Sequence, residues 1–106
     1  MPKYLIRGSY SDGGLKGLLK EGGSKRREAA EQSVKSMGGR LDAFYYAFGD
    51  DDFIIIADLP NNVDASALSL AVNASGSLKS RITVLIAPEE VDQAVRKTVN
   101  FRAPGT

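Results

Sequence analysis

The stretch Leu41–Pro60, LDAFYYAFGDDDFIIIADLP, decides the fold. Two apolar runs flank Gly49-Asp50-Asp51-Asp52. Glycine and aspartate are residues that tight turns accept, so the stretch reads as a β-hairpin in which Gly49 supplies a positive φ. In the first arm, alternation puts Leu41, Ala43, Tyr45 and Ala47 on one face and Phe44, Tyr46 and Phe48 on the other. In the second arm Phe53, Ile54, Ile55 and Ile56 follow without a polar break, the pattern of a strand covered on both sides. Pro60 ends it. One layer cannot satisfy both faces of such a hairpin, so helices must cover one face and something else the other.

Upstream, Lys3–Tyr10 alternates Tyr4, Ile6, Gly8 and Tyr10 with Leu5, Arg7 and Ser9, and reads as a first strand. Ser11-Asp12-Gly13-Gly14 carries turn chemistry. Leu15, Leu18 and Leu19 stand at i, i+3, i+4 spacing and predict two turns of helix over Leu15–Glu21, closed by Gly22-Gly23. Glycine pairs on both sides fit a lid, or a plain connector whose leucines join the core. Ser24 is the expected N-cap of a helix running to Met37, with Ala30, Val34 and Met37 inward and Gly38-Gly39 as its stop.

Downstream, Asn61 or Asn62 caps a helix over Val63–Ser75 that ends at Gly76, with Leu68, Ala71, Val72 and Ser75 inward. Its many alanines and serines suit close packing on a sheet. Leu78–Ile86 reads as a fourth strand, with Ile82, Val84 and Ile86 opposite Arg81, Thr83 and Leu85. Pro88 at the first helical position, followed by Glu89 and Glu90, opens a last helix. Val91, Ala94, Val95 and Thr98 would form its inner face. The expected architecture is an α+β, ferredoxin-like βαββαβ sandwich with an extra C-terminal helix. Its four-stranded antiparallel sheet carries helices on one face, with right-handed crossovers. One domain spans 1–99, and 100–106 is a tail whose only anchor is Phe101.

Composition removes several classes. With 106 residues the chain suits one hydrophobic core. Fourteen basic and thirteen acidic residues leave a net charge of +1, without the basic excess of a nucleic-acid binder. The chain has no histidine and no cysteine, which excludes Ser-His-Asp and Cys-His machinery and the usual zinc ligand sets. Proton chemistry falls to Asp, Glu, Tyr, Lys or Arg. Asp50–Asp52 is too short for an EF-hand loop, so no metal and no cofactor is expected. MPKYLIRGSY has no apolar signal core, and no window approaches the ~20 apolar residues of a span, so the expectation is a cytoplasmic protein without a membrane partner.

The candidate site residues come from charge placed against the grain. Lys25, Arg26 and Arg27 occupy a helix first turn, where each cation opposes the macrodipole by ~0.3–1 kcal/mol. An offset is needed. Either Arg26 and Arg27 receive an anionic group, or they form a solvated turn or pair with the aspartates of the hairpin. Tyr10, Tyr45 and Tyr46 are expected to line a pocket between sheet and helices, with Asp50 and Asp52 orienting the arginines or meeting a polar substituent. The sheet face turned from the helices holds hairpin side chains that a monomer would expose. Self-association is therefore expected, most simply a sheet-on-sheet dimer, at ~25 cal/mol per Å² of apolar surface covered.

GSKRREA (Gly23–Ala29), GGRLDAFYYAFGDDDFIIIADLP (Gly38–Pro60), the small-residue helix and TVLIAPEEVD (Thr83–Asp92) together resemble the GYD-domain family. The resemblance covers roughly residues 3–95. Gly49 and Asp52 fit the family's Gly-Tyr-Asp signature with a spacer, but Asp51 stands where its tyrosine is expected, and no role of that tyrosine is carried over. The resemblance implies a ferredoxin-like fold similar to dimeric α/β-barrel proteins, which include cofactor-free oxygenases, isomerases and small-molecule binders. It implies no reaction. The leading expectation is an oligomeric protein binding a small anionic or aromatic molecule. One alternative is a cofactor-independent oxygenase or isomerase, with Asp52 or a buried tyrosine as acid or base. Another is a structural or regulatory interaction protein without a ligand.

Overall fold

The computed structural model describes residues 1–106. Its elements run β1 (Lys3–Tyr10), α1 (Asp12–Glu21), α2 (Gly23–Ser36), β2 (Arg40–Tyr46), β3 (Phe53–Asp58), α3 (Asn62–Ala74), β4 (Leu78–Leu85) and α4 (Pro88–Ala94). The strands form one sheet in the order β2-β3-β1-β4, antiparallel throughout. With α1 and α2 taken as one bent crossover, this is the expected α+β order plus a terminal helix.

Side-chain alternation on β1 sorts the sheet into two faces. Tyr4, Ile6 and Gly8 pair with Ala57, Ile55 and Phe53 of β3 and with Val84, Ile82 and Ser80 of β4. Residues opposite one another across a ladder share a face, and this face carries the core. There Tyr4, Leu41, Phe53, Ile55, Ala57 and Leu59 meet Val34 of α2 and Ala65 of α3. Tyr4 is buried, and its hydroxyl donates to Asn62 Oδ1 at 2.6 Å, so the polar end is satisfied. On α3, Ala65, Leu68 and Val72 turn inward while Ala71 and Ser75 stay exposed, one step around the helix from the expected stripe. Asn61 caps α3 by accepting from Asp64 N at 2.9 Å.

β2 differs from simple alternation. Leu41 pairs with Ala57 and Ala43 with Ile56, so Asp42 is an extra residue. This bulge turns Leu41 onto the face of Phe44 and Tyr46 and buries it, away from Ala43 and Tyr45. The hairpin loop also breaks expectation. Phe48 takes the left-handed conformation at φ 54°, and Gly49 does not. A side chain there costs ~1–2 kcal/mol. Stacking of Phe48 on Tyr46, at 5.7 Å and 7° between planes, offsets it, as do bonds from Ala47 N to Asp52 O and Gly49 N to Asp51 O at 2.9 and 3.1 Å.

The first helices start earlier than their apolar spacing indicates. Ser11 caps α1 by accepting from Gly14 N at 3.1 Å, so the expected turn Ser11–Gly14 is the helix's own first turn. Gly22, at φ 86°, ends α1 and begins α2 at once. No room is left for Ser24 to cap, and Ser24 lies inside α2.

The last helix does not pack as expected. Every residue from Ile86 to Thr106 is exposed, including Val91, Val95 and Phe101. A seven-residue helix offers too little apolar surface to hold itself on the domain. It stands as an arm, and the molecule measures 57 × 33 × 22 Å.

Candidate functional site

α2 packs over β2 and α3 over β4. Between them a cleft opens above the two middle strands. Its floor is Ile6, Phe44, Phe53, Ile55 and Ile82, and its walls include Ala30 and Val34 on one side and Leu68 and Val72 on the other. The small side chains Ala29, Ala30 and Ser33 of α2 leave the space that larger ones would fill. The inner chamber measures about 130 Å³. It continues outward into a trough of about 460 Å³ bordered by Met37, Ala67, Ala71 and Ser75. The alanines and serines of α3 thus form the wall of a trough rather than a close helix–sheet contact.

Polar groups are few. Ser33 Oγ donates to Ala29 O at 3.1 Å. Ser69 Oγ accepts from Asn73 Nδ2 at 3.3 Å, and Ser80 Oγ donates to Asn73 Oδ1 at 3.2 Å. Asn73 also accepts from Ser80 N at 2.6 Å, which ties α3 to β4. Ser33 and Ser80 thus donate to the protein, whereas Ser69 is an acceptor and keeps its own proton. Tyr10 and Arg26 supply the remaining polar chemistry.

Tyr10 ends β1 with its ring 5.4 Å from that of Phe53. Burial pushes its phenol up to about 12, the adjacent Tyr46 hydroxyl adds to the rise, and the nearby Arg26 guanidinium opposes it. Tyr46 in turn donates to Gly23 O at 3.1 Å. Arg26 Nη1 lies 3.8 Å from Glu21 Oε1, a long contact between partly exposed groups and therefore a weak one. At neutral pH the cleft mouth presents a cation and a protonated phenol.

The raised phenol has a measurable consequence. Between about 10 and about 12 the folded chain holds a proton on Tyr10 that the unfolded chain has released, so stability falls as pH rises across that window. Denaturant unfolding at several pH values should show this loss in the native chain and a smaller one in Tyr10→Phe. The alkaline absorbance titration should carry a step at about 12 that vanishes in Tyr10→Phe.

The other candidate residues fall elsewhere. Tyr46 borders Tyr10 at the rim. Tyr45 pairs with Ile54 on the opposite face and is 69% exposed. Arg27, one residue past Arg26 and so about 100° around the helix, is exposed. Asp50 is exposed at the hairpin tip. Asp52 Oδ2 accepts from Tyr10 N at 2.9 Å, and its own N donates to Gly8 O at 2.8 Å, so Asp52 fastens the loop to β1. Asp51 pairs on the far face with Arg81 at 3.0 Å and Arg7 at 3.7 Å. The expected pairing of these aspartates with Arg26 and Arg27 is absent, because register sends them to β1 and β4. Phe44 and Val72, expected only as core, and Ser33 also line the cleft, and the run of small residues at Ala29-Ala30 is the signal in the sequence.

The sequence pattern of the GYD domain matches residues 4–95 of the 106. The chain belongs to the GYD-domain family. A search among curated proteins finds no match. The GYD domain thus takes in the whole sheet, the cleft and α4. No helix is long and apolar enough to cross a membrane.

Proposed function

We propose that this GYD-domain protein is an oligomer, most simply a dimer, that binds a small molecule in the cleft between sheet and helices. The observation that carries the reading is an apolar chamber with Arg26 and Tyr10 at its mouth. Interiors are normally filled to crystal-like density, and a chamber walled by apolar side chains with a few convergent polar groups is the usual form of a ligand site. Binding is favoured over catalysis. No carboxylate lines the chamber, Asp52 is engaged by backbone, and Tyr10 stays protonated, so no general base faces the cleft.

Self-association is supported by the face turned from α2 and α3. Leu5, Ala43, Ile54 and Ile56 share it. At one end Lys3, Asp42, Asp58 and Arg40 form a charge cluster, in which Lys3 holds the Asp42 carboxyl below its usual range and Arg40 Nη2 reaches Asp58 at 3.2 Å. Arg7, Asp51 and Arg81 close the other end. An apolar centre between satisfied charges suits a second copy of the same sheet.

The binding reading is tested by thermal shift against a panel of small carboxylates, neutral aromatics and fatty acids. At least one compound is expected to raise the melting temperature of the native chain, and Ala30→Phe, which fills the chamber, is expected to abolish the shift. A shift that survives Ala30→Phe places binding outside the cleft.

A further inference from the structure

We infer that the ligand is a single-ring aromatic carboxylate, with its ring in the inner chamber and its carboxylate between Arg26 and the Tyr10 hydroxyl. This rests on the binding reading and narrows it by size, shape and charge.

Size comes first. The chamber measures about 130 Å³. An apolar cavity of about 150 Å³ accepts a benzene ring, so one ring fills the inner chamber and a fused pair would have to extend into the trough. The lining adds shape. Phe44 and Phe53 border the chamber, with Tyr10 canted against Phe53 at 56°. A flat ring placed among them gains the offset and edge-on contacts that aromatic groups prefer.

Charge completes the description. Among the groups lining the chamber Arg26 is the one cation, and the Tyr10 hydroxyl lies beside it. Arg26 lines both the chamber and the trough, so it stands at their junction. A guanidinium and a protonated phenol side by side both donate, and they complement one carboxylate with its two acceptor oxygens. Glu21 is the only carboxylate near Arg26, and at 3.8 Å a ligand carboxylate displaces it readily. A neutral ring would leave Arg26 with only its long contact to Glu21, and a dianion would bring a second charge into an apolar chamber.

Isothermal titration and saturation-transfer NMR with benzoate, benzamide, 2-naphthoate and octanoate test this. Benzoate should bind at least about tenfold more tightly than benzamide, because the charge-assisted pair is lost in the amide. It should also outbind 2-naphthoate and octanoate. Arg26→Ala should weaken benzoate by about tenfold or more while leaving benzamide unchanged. Tyr10→Phe should weaken benzoate by about threefold to tenfold. Arg26 is partly exposed, so its removal should leave the fold intact by circular dichroism. Equal affinity for benzoate and benzamide, or an Arg26→Ala variant that binds benzoate as before, overturns the carboxylate assignment. Tighter binding of 2-naphthoate or octanoate overturns the single ring. In those cases the cleft remains a binding site of another class. If none of the four probes and nothing in the wider panel binds, the binding reading falls as well.

Discussion

Replacing Gly8 by alanine is expected to remove a large share of the protein's stability. Gly8 lies in β1 with Phe53 on one side and Ser80 on the other. A Cβ there would sit 1.9 Å from Lys79 O and 2.8 Å from Ser80 Cα. Both are backbone atoms of the paired strand, so no side-chain rotation relieves the clash. β4 cannot retreat freely, because Ser80 N is held by Asn73 Oδ1 at 2.6 Å. Relief requires opening the ladder between β1 and the edge strand β4. A loss of ~3 kcal/mol or more follows, against a total stability of ~5–15 kcal/mol for a domain of this size. Urea unfolding followed by circular dichroism measures it. Gly17→Ala is the control. No atom lies within 4 Å of a Cβ at Gly17, which is inside α1. That change should be neutral or stabilise by up to ~1 kcal/mol. A Gly8→Ala protein as stable as Gly17→Ala would mean that β1 and β4 are not so closely apposed.

The second large effect concerns assembly. Ile56→Lys should convert the proposed dimer to a monomer without unfolding it. Ile56 stands between Leu5 and Ala43, in the middle of the face turned from α2 and α3. In a two-fold sheet-on-sheet dimer each substitution appears twice, and each buries an ammonium among apolar groups. An uncompensated buried charge costs several kcal/mol, so the dimer dissociation constant should rise by at least about a thousandfold. In the single chain Ile56 is only half-buried, so the lysine can reach water and the circular dichroism spectrum should be unchanged. Light scattering after size-exclusion chromatography reads the result. A native chain that is monomeric at micromolar concentration ends the dimer proposal outright, and a dimer that tolerates Ile56→Lys moves the interface elsewhere.

Much of the fold is legible in residue order because its signals are local. The alternation of β1, the unbroken Phe53–Ile56 run, the Asn61 cap and Pro88 each mark an element by chemistry within a few neighbours. The failures share a different cause. The Asp42 bulge hides in β2 because a polar residue between Leu41 and Ala43 looks like ordinary alternation. Only the partner strand reveals that Asp42 has no opposite. The left-handed residue is Phe48 rather than Gly49 because ring stacking and loop hydrogen bonds outweigh the local preference of glycine.

The site divides along the same line. Tyr10, a tyrosine at the end of β1, and Arg26, a cation against the helix dipole, both border the cleft. Tyr45 and Tyr46 are consecutive on a strand, so a single cleft on one face receives only one of them. Asp51 and Asp52 are claimed by Arg7, Arg81 and Tyr10 N, partners thirty or more residues distant and set by register. Cleft volume is the least legible property. It depends on how far apart α2 and α3 stand over the sheet, and small side chains on a helix suit close packing and open space equally well.

The strand order β2-β3-β1-β4 also sets a timetable. Of the four strands β1 is made first, yet it lies between two others, and the second of them, β4, is made last. Lys3 pairs with Leu85, so the sheet closes only when nearly the whole domain has emerged. At ~5–20 residues per second, β1 waits on the order of 4–15 s with an unpaired edge. Such non-local pairing places the domain among slower folders than helical bundles of equal length. Lys3 and Arg7, spaced along one side of β1, put charge on the strand through that interval, a recognised means by which open edges resist pairing with the wrong chain.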